Sequence, residues 1–156
     1  MSNWAEYQKL ENEAFLLTLK SVCKALQEQG ITSVETVYSG GGDSGDYEHP
    51  VFMREGEDVS PDGSVERFRA HREWSRKKAL WINTGIKKST ATLEDAAFDL
   101  MEKAVSIRHG GWENNEGGEG TVTLDVPLGV LTVNHGNHCI STEWDEYSFC
   151  AEGGEE

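Results

Sequence analysis

The sequence predicts an α+β fold: an antiparallel sheet ending in a three-strand meander, with two main helices packed on one face. Three observations carry this prediction. Apolar residues recur at helical spacing in two separate stretches, one near the N-terminus and one at 92–108. The last third alternates β-branched and polar residues in short runs, broken at Pro127-Leu128-Gly129 and Gly136-Asn137. The order runs helix, strand, loop region, helix, meander, without an internal repeat. At 156 residues the chain suits one domain over 1–150, followed by an acidic tail at 151–156.

In chain order, residues 4–29 read as a helix, because Phe15, Leu19, Val22 and Leu26 fall on one face, widened by Leu16 and Cys23. Gly30 stands where a helix C-cap belongs. ITSVETVYS (31–39) is β-branched and reads as a strand running into a glycine loop. Residues 41–63 carry acids and the turn signal Pro61-Asp62-Gly63, and read as a loop with a short strand at VFM (51–53). Residues 64–88 read as two strands and a connector. Thr92-Leu93-Glu94-Asp95 opens a second helix with a capping-box pattern, and Leu93, Ala96, Ala97, Leu100, Met101, Ala104 and Val105 give it an apolar face. Gly110-Gly111 closes that helix. Three strands then follow: TVTLDV (121–126), VLTVNH (130–135) and HCISTEW (138–144). A Gly136-Asn137 turn would set His135 opposite His138 and Asn134 opposite Cys139.

Charge narrows the function classes. Against 28 Asp and Glu stand 14 Lys and Arg, a net charge of −14, and mean hydropathy is −0.57. Such a chain is repelled by phosphate backbones and anionic membranes, which argues against direct nucleic-acid binding and against a membrane partner. The basic residues concentrate at 64–88, where Arg67, Arg69, Arg72, Arg76, Lys77 and Lys78 interleave with Phe68, Trp74 and Trp81. Internal neutralisation of the acidic loops is preferred there over a nucleic-acid patch. Three cysteines, Cys23, Cys139 and Cys150, with a polar N-terminus and no apolar run of membrane length, predict a cytoplasmic protein with free thiols.

Two glycine-acid stretches are the candidate site. In YSGGGDSGDYEHP (38–50), Gly42-Asp43-Ser44-Gly45 matches the tetrapeptide around the nucleophile of trypsin-like serine proteases. The chain is too short for two β-barrels, and Asp46-Tyr47 follows the match; Asp46 also breaks a G-x-S-x-G elbow. Ser44 therefore reads as part of a turn. Tyr38, Gly41, Gly42, Asp43 and Ser44 could present backbone amides to a ligand, with Arg72 and Arg76 supplying positive charge. Asp43, Asp46 and Glu48 offer hard oxygen ligands that would suit Ca²⁺ or Mg²⁺, although no complete metal pattern is present and no cofactor is required. In GGWENNEGGEG (110–120), Trp112, Glu113 and Asn115 are the counterpart residues, with Glu116 beside them. His135, His138 and Cys139, with Cys150, have the atom types for zinc without the spacing of a finger or ribbon.

The YSGxGDSG-like loop, the GWE-N-x-GGxG loop and the TVTLDV/LTVNH pair resemble an uncharacterised bacterial family, a domain of unknown function found on plasmids and in phages. The resemblance covers 31–48 and 108–149 and leaves out the basic 64–88 stretch. It implies a fold and a site location but no reaction.

Three functions follow in order of preference. The first is a small acidic non-enzymatic binding protein, an inhibitor or modulator of a host protein with a basic surface, such as a defence or nucleic-acid-binding protein. Its acidic C-terminal third, which has no Lys or Arg after Arg108, would be the presenting surface. The second is a binder of a small phosphorylated or nucleotide ligand. The third is a divalent-metal hydrolase using Asp43, Asp46, Glu48, Glu113 and Glu116.

Overall fold

A computed structural model describes residues 3–41, 44–109, 117–137 and 143–151. Helix α1 (Asn3–Glu28) leads into strands β1 (Ser33–Gly41), β2 (Ser44–Tyr47), β3 (Val51–Arg54) and β4 (Glu57–Val59). A long hairpin, β5 (Ser64–Ser75) and β6 (Leu80–Thr92), precedes helix α2 (Leu93–His109) and the strands β7 (Gly118–Asp125), β8 (Val130–Asn137) and β9 (Glu143–Cys150). The main sheet has the order β4-β3-β1-β7-β8-β9, with β2 beside β1 on the same edge as β3, and every pairing is antiparallel. β5 and β6 form a separate two-stranded ribbon.

Period-two alternation decides which face of the sheet is closed. Val34, Thr36 and Tyr38 of β1, Val122 and Leu124 of β7, and Leu131, Val133 and His135 of β8 are buried on one face. Both helices cover that face. α1 contributes Phe15, Leu19, Val22 and Leu26, and α2 contributes the seven residues predicted as its apolar face. Phe15 meets Phe149 of β9 edge-on at 5.1 Å.

The helix ends obey local chemistry. Gly30 takes a φ of +74°, and the Gly30 and Ile31 amides donate to Gln27 and Leu26 carbonyls at 3.0 Å, closing α1 and sending Ile31 into the core. Thr92 Oγ accepts the Asp95 amide at 3.1 Å and caps α2.

Two expectations are corrected. Residues 41–63 are not one loop around a short strand; they form β2, β3 and β4. Their acids mask the alternation: Phe52 points into the core, Tyr47 reaches Tyr38 at 5.1 Å, and Asp46 and Asp58 take exposed positions between such residues. The Gly136-Asn137 turn does not form either. β8 continues through Asn137, β9 begins at Glu143, and His135 lies opposite Asp145 and Asn134 opposite Glu146. Gly136 instead lies opposite Trp144, whose indole packs across it so closely that a Cβ there would meet it at 2.9–3.0 Å. A glycine inside a strand often marks such a close approach. His138 and Cys139 lie outside the described residues.

Candidate functional site

The β1–β7 register sets Gly40 opposite Gly118, so the described ends of the two glycine-acid stretches share one end of the sheet. Ser44 pairs with Gly41 across the β1–β2 hairpin. Gly42 and Asp43, which connect them, lie outside the described residues, as do Trp112, Glu113, Asn115 and Glu116. Asp46 is exposed opposite Ser39. Glu48 is tied through its backbone: its amide donates to the Val37 carbonyl at 2.8 Å and its carbonyl accepts from Thr36 Oγ at 2.5 Å. Among the described residues no three His, Cys, Asp or Glu side chains converge as a metal site.

Beneath this rim runs a row of polar groups on the closed face. Cross-strand register aligns Tyr38, Gly120, His135 and Asp145. Gly120 has no side chain, so the Tyr38 ring crosses it and stacks with His135 at 5.7 Å. The Tyr38 hydroxyl lies 2.5 Å from His135 Nδ1. Burial, reinforced by Tyr147 and Tyr47, pushes the Tyr38 phenol far above its ordinary value. The phenol therefore stays protonated, and a single hydrogen bond joins it to the imidazole. His109, in the last turn of α2, stacks on His135 at 4.0 Å and contacts Asp145 through Nε2 at 2.9 Å. Arg108 reaches the same carboxylate at 3.1 Å and lies 4.9 Å over the Tyr147 ring. The Arg108 guanidinium, in the last turn of α2, also suits the helix dipole.

Tyr38 and His135 are sealed from solvent, at 1% and 0% exposure. The row thus joins β1, β8, β9 and α2 through hydrogen bonds and stacked rings that are buried at Tyr38 and His135 and reach the surface at Asp145 and Arg108. His109, Asp145 and Arg108 went unnoticed in the sequence. The only signal for them was the pair of glycines, Gly118 and Gly120, inside a strand: a Cβ on Gly118 would meet the His135 ring at 3.0 Å.

Arg72 lies over the rings of Trp4, Tyr7 and Trp81 at 5.5, 4.4 and 5.3 Å, and Arg76 sits in the turn of the ribbon. Neutralisation of this stretch is partial. Arg67 pairs with Asp99 and Lys88 with Glu66, whereas Arg69, Arg76, Lys77, Lys78 and Lys87 meet no carboxylate among the described residues. A cleft of about 500 Å³ opens between α1, α2 and β5, lined by Glu11, Arg67, Asp99, Glu102 and Lys103 among others. Its charges largely satisfy one another, through Arg67–Asp99 and through Lys103–Glu11 at 3.0 Å.

The open face of the main sheet is different in kind. Its outward strand positions carry Glu35, Asp46, Asp58, Glu119, Asp125 and Glu146, with Thr, Ser and Asn between them. No Lys or Arg occupies an outward position on these strands among the described residues. Val37, Val51 and Trp144 are exposed on the same face, Trp144 at 56%. Most protein surfaces intersperse both signs of charge, and this face carries one.

Fold and face together define a small α+β protein with a core on one side of its sheet and an open, acidic surface on the other. The chain belongs to the family of unknown function DUF6878, whose model matches residues 15–149 and so takes in the basic ribbon as well as the glycine loops. No curated protein and no solved structure matches the chain. No helix among the described residues is long and apolar enough to cross a membrane.

Proposed function

We propose that the protein is a small non-enzymatic binding protein that lays its open sheet face on a basic surface of a host protein and so inhibits or modulates it. The host setting, a bacterium receiving a phage or plasmid, comes from the loop resemblance, and the cytoplasmic placement from the cysteines and the polar N-terminus. The observation that carries the reading is the single sign of charge across that face. A one-signed surface steers an oppositely charged partner and rejects like-charged ones. Trp144, exposed among the carboxylates, supplies the aromatic anchor that interface energetics favour.

A phosphorylated-ligand reading has the Arg67-lined cleft in its favour, but Glu11, Asp99 and Glu102 line the same space and oppose a phosphate.

The test is charge reversal. Glu35→Lys, Glu119→Lys, Asp125→Lys and Glu146→Lys combined alter exposed positions only. A partner recovered from host lysate and purified should bind wild type with strong salt dependence and bind the variant at least ~100-fold more weakly. Equal affinity for both proteins, with melting temperature unchanged, would overturn the proposal.

A further inference from the structure

The ribbon carries a second surface of opposite character. We infer that the outer half of β5–β6, with the start of α1, binds single-stranded nucleic acid. Five side chains make a continuous strip. Trp4 and Tyr7 stack at 5.8 Å, Arg72 lies over both and over Trp81, and Trp81 meets its cross-strand partner Trp74 at 5.6 Å. Trp4, Trp74 and Trp81 are 54%, 52% and 46% exposed, although large aromatic side chains are usually buried. Beyond the strip, the turn holds Arg76, Lys77 and Lys78, none paired with a carboxylate among the described residues.

Exposed rings provide stacking platforms for bases, a guanidinium set among them adds cation–π contacts, and nearby cations track the phosphates. The net charge of −14 does not prevent this, because the charge is segregated. The only carboxylates between 64 and 92 are Glu66, paired with Lys88, and Glu73. At physiological ionic strength the field of the sheet-face acids falls off over about 8 Å. A single strand fits better than a membrane: an inserting hairpin would lead with its apolar rings, whereas here the cations occupy the turn and the tryptophans lie behind it.

The experiment uses the full chain and a fluorescein-labelled oligothymidylate of about 20 nucleotides, followed by anisotropy at ~50 mM salt. Wild type should bind. Trp74→Ala and Trp81→Ala, both at exposed positions, should each weaken binding roughly tenfold, the worth of one stacked base. Arg76→Ala with Lys77→Ala and Lys78→Ala should lower the slope of log affinity against log salt by about 2, near 0.7 per phosphate contact. The charge-reversed sheet variant should retain oligonucleotide binding, which separates this surface from the acidic face. The inference is overturned if wild type fails to bind the oligonucleotide at low salt. It is equally overturned if the tryptophan variants bind as wild type does, or if the ribbon instead docks on phosphatidylglycerol vesicles or on the acidic face of a second copy while the oligonucleotide does not compete.

Discussion

Gly120→Ala tests whether the glycines at 117–120 serve packing. A Cβ at 120 would stand 2.4 Å from the Asn134 carbonyl oxygen, 2.6 Å from the Tyr38 hydroxyl and 2.8 Å from Tyr38 Cζ. All three lie well inside ordinary van der Waals contact. The carbonyl belongs to β8 and cannot retreat without disturbing its pairing with β7. Tyr38 is held between Tyr47 and His135. Overpacking in a core costs about 1–3 kcal/mol, and a backbone neighbour with a wedged ring places this site at the upper end, ~3 kcal/mol. For a chain of this size each kcal/mol lowers the melting temperature by about 2–4 °C. Thermal unfolding followed by circular dichroism should therefore fall by roughly 6–12 °C. Thr121→Ala, at the neighbouring half-buried position on the open face, is the control and should move it by no more than about 2 °C. A Gly120→Ala melt within about 2 °C of wild type would refute the packing argument and return these glycines to a role in the loop itself.

Other outcomes follow from single side chains. Burial, and then Asp99, push the Glu102 carboxyl above its ordinary value. The folded state therefore binds the proton more tightly than the unfolded one, and Glu102 takes stability away as pH rises through that raised value. Glu102→Gln should raise the melting temperature at neutral pH, with the gain vanishing in acid; a loss at neutral pH would contradict the assignment. Burial pushes the Cys23 thiol up to about 11. At pH 8 iodoacetamide should label half-buried Cys150 while sparing Cys23 until the protein unfolds, and early labelling of Cys23 by mass spectrometry would refute its placement. Thr92→Ala removes the α2 cap and should cost about 1 kcal/mol in urea titration.

The helices were legible because their information is local. Phe15, Leu19, Val22 and Leu26 mark α1 by spacing alone, and Thr92 and Gly30 mark ends by side-chain and backbone chemistry that needs no tertiary context. β1 and the first two strands of the meander were readable from β-branched alternation. β2 and β4 were not, since the acids that face water on one side also make a stretch look like a loop. The start of β9 was misread because Gly136 signals a turn locally, whereas its partner in the fold is Trp144 on the next strand. The same limit hid the buried row. Tyr38, His109, His135 and Asp145 come from three strands and a helix, and become neighbours only once the register is known. The acidic face was half legible: the missing cations after Arg108 pointed to the C-terminal third, but Glu35, Asp46 and Asp58 join that surface through sheet order alone.

The most direct measurement is carboxyl footprinting of the protein, free and bound to its purified host partner, with carbodiimide and glycine ethyl ester read by mass spectrometry. Glu35, Glu119, Asp125 and Glu146 should lose labelling in the complex, while exposed Glu13 and Glu28 on α1 keep theirs. Unchanged labelling across the sheet face, with protection on α1 instead, would contradict the account.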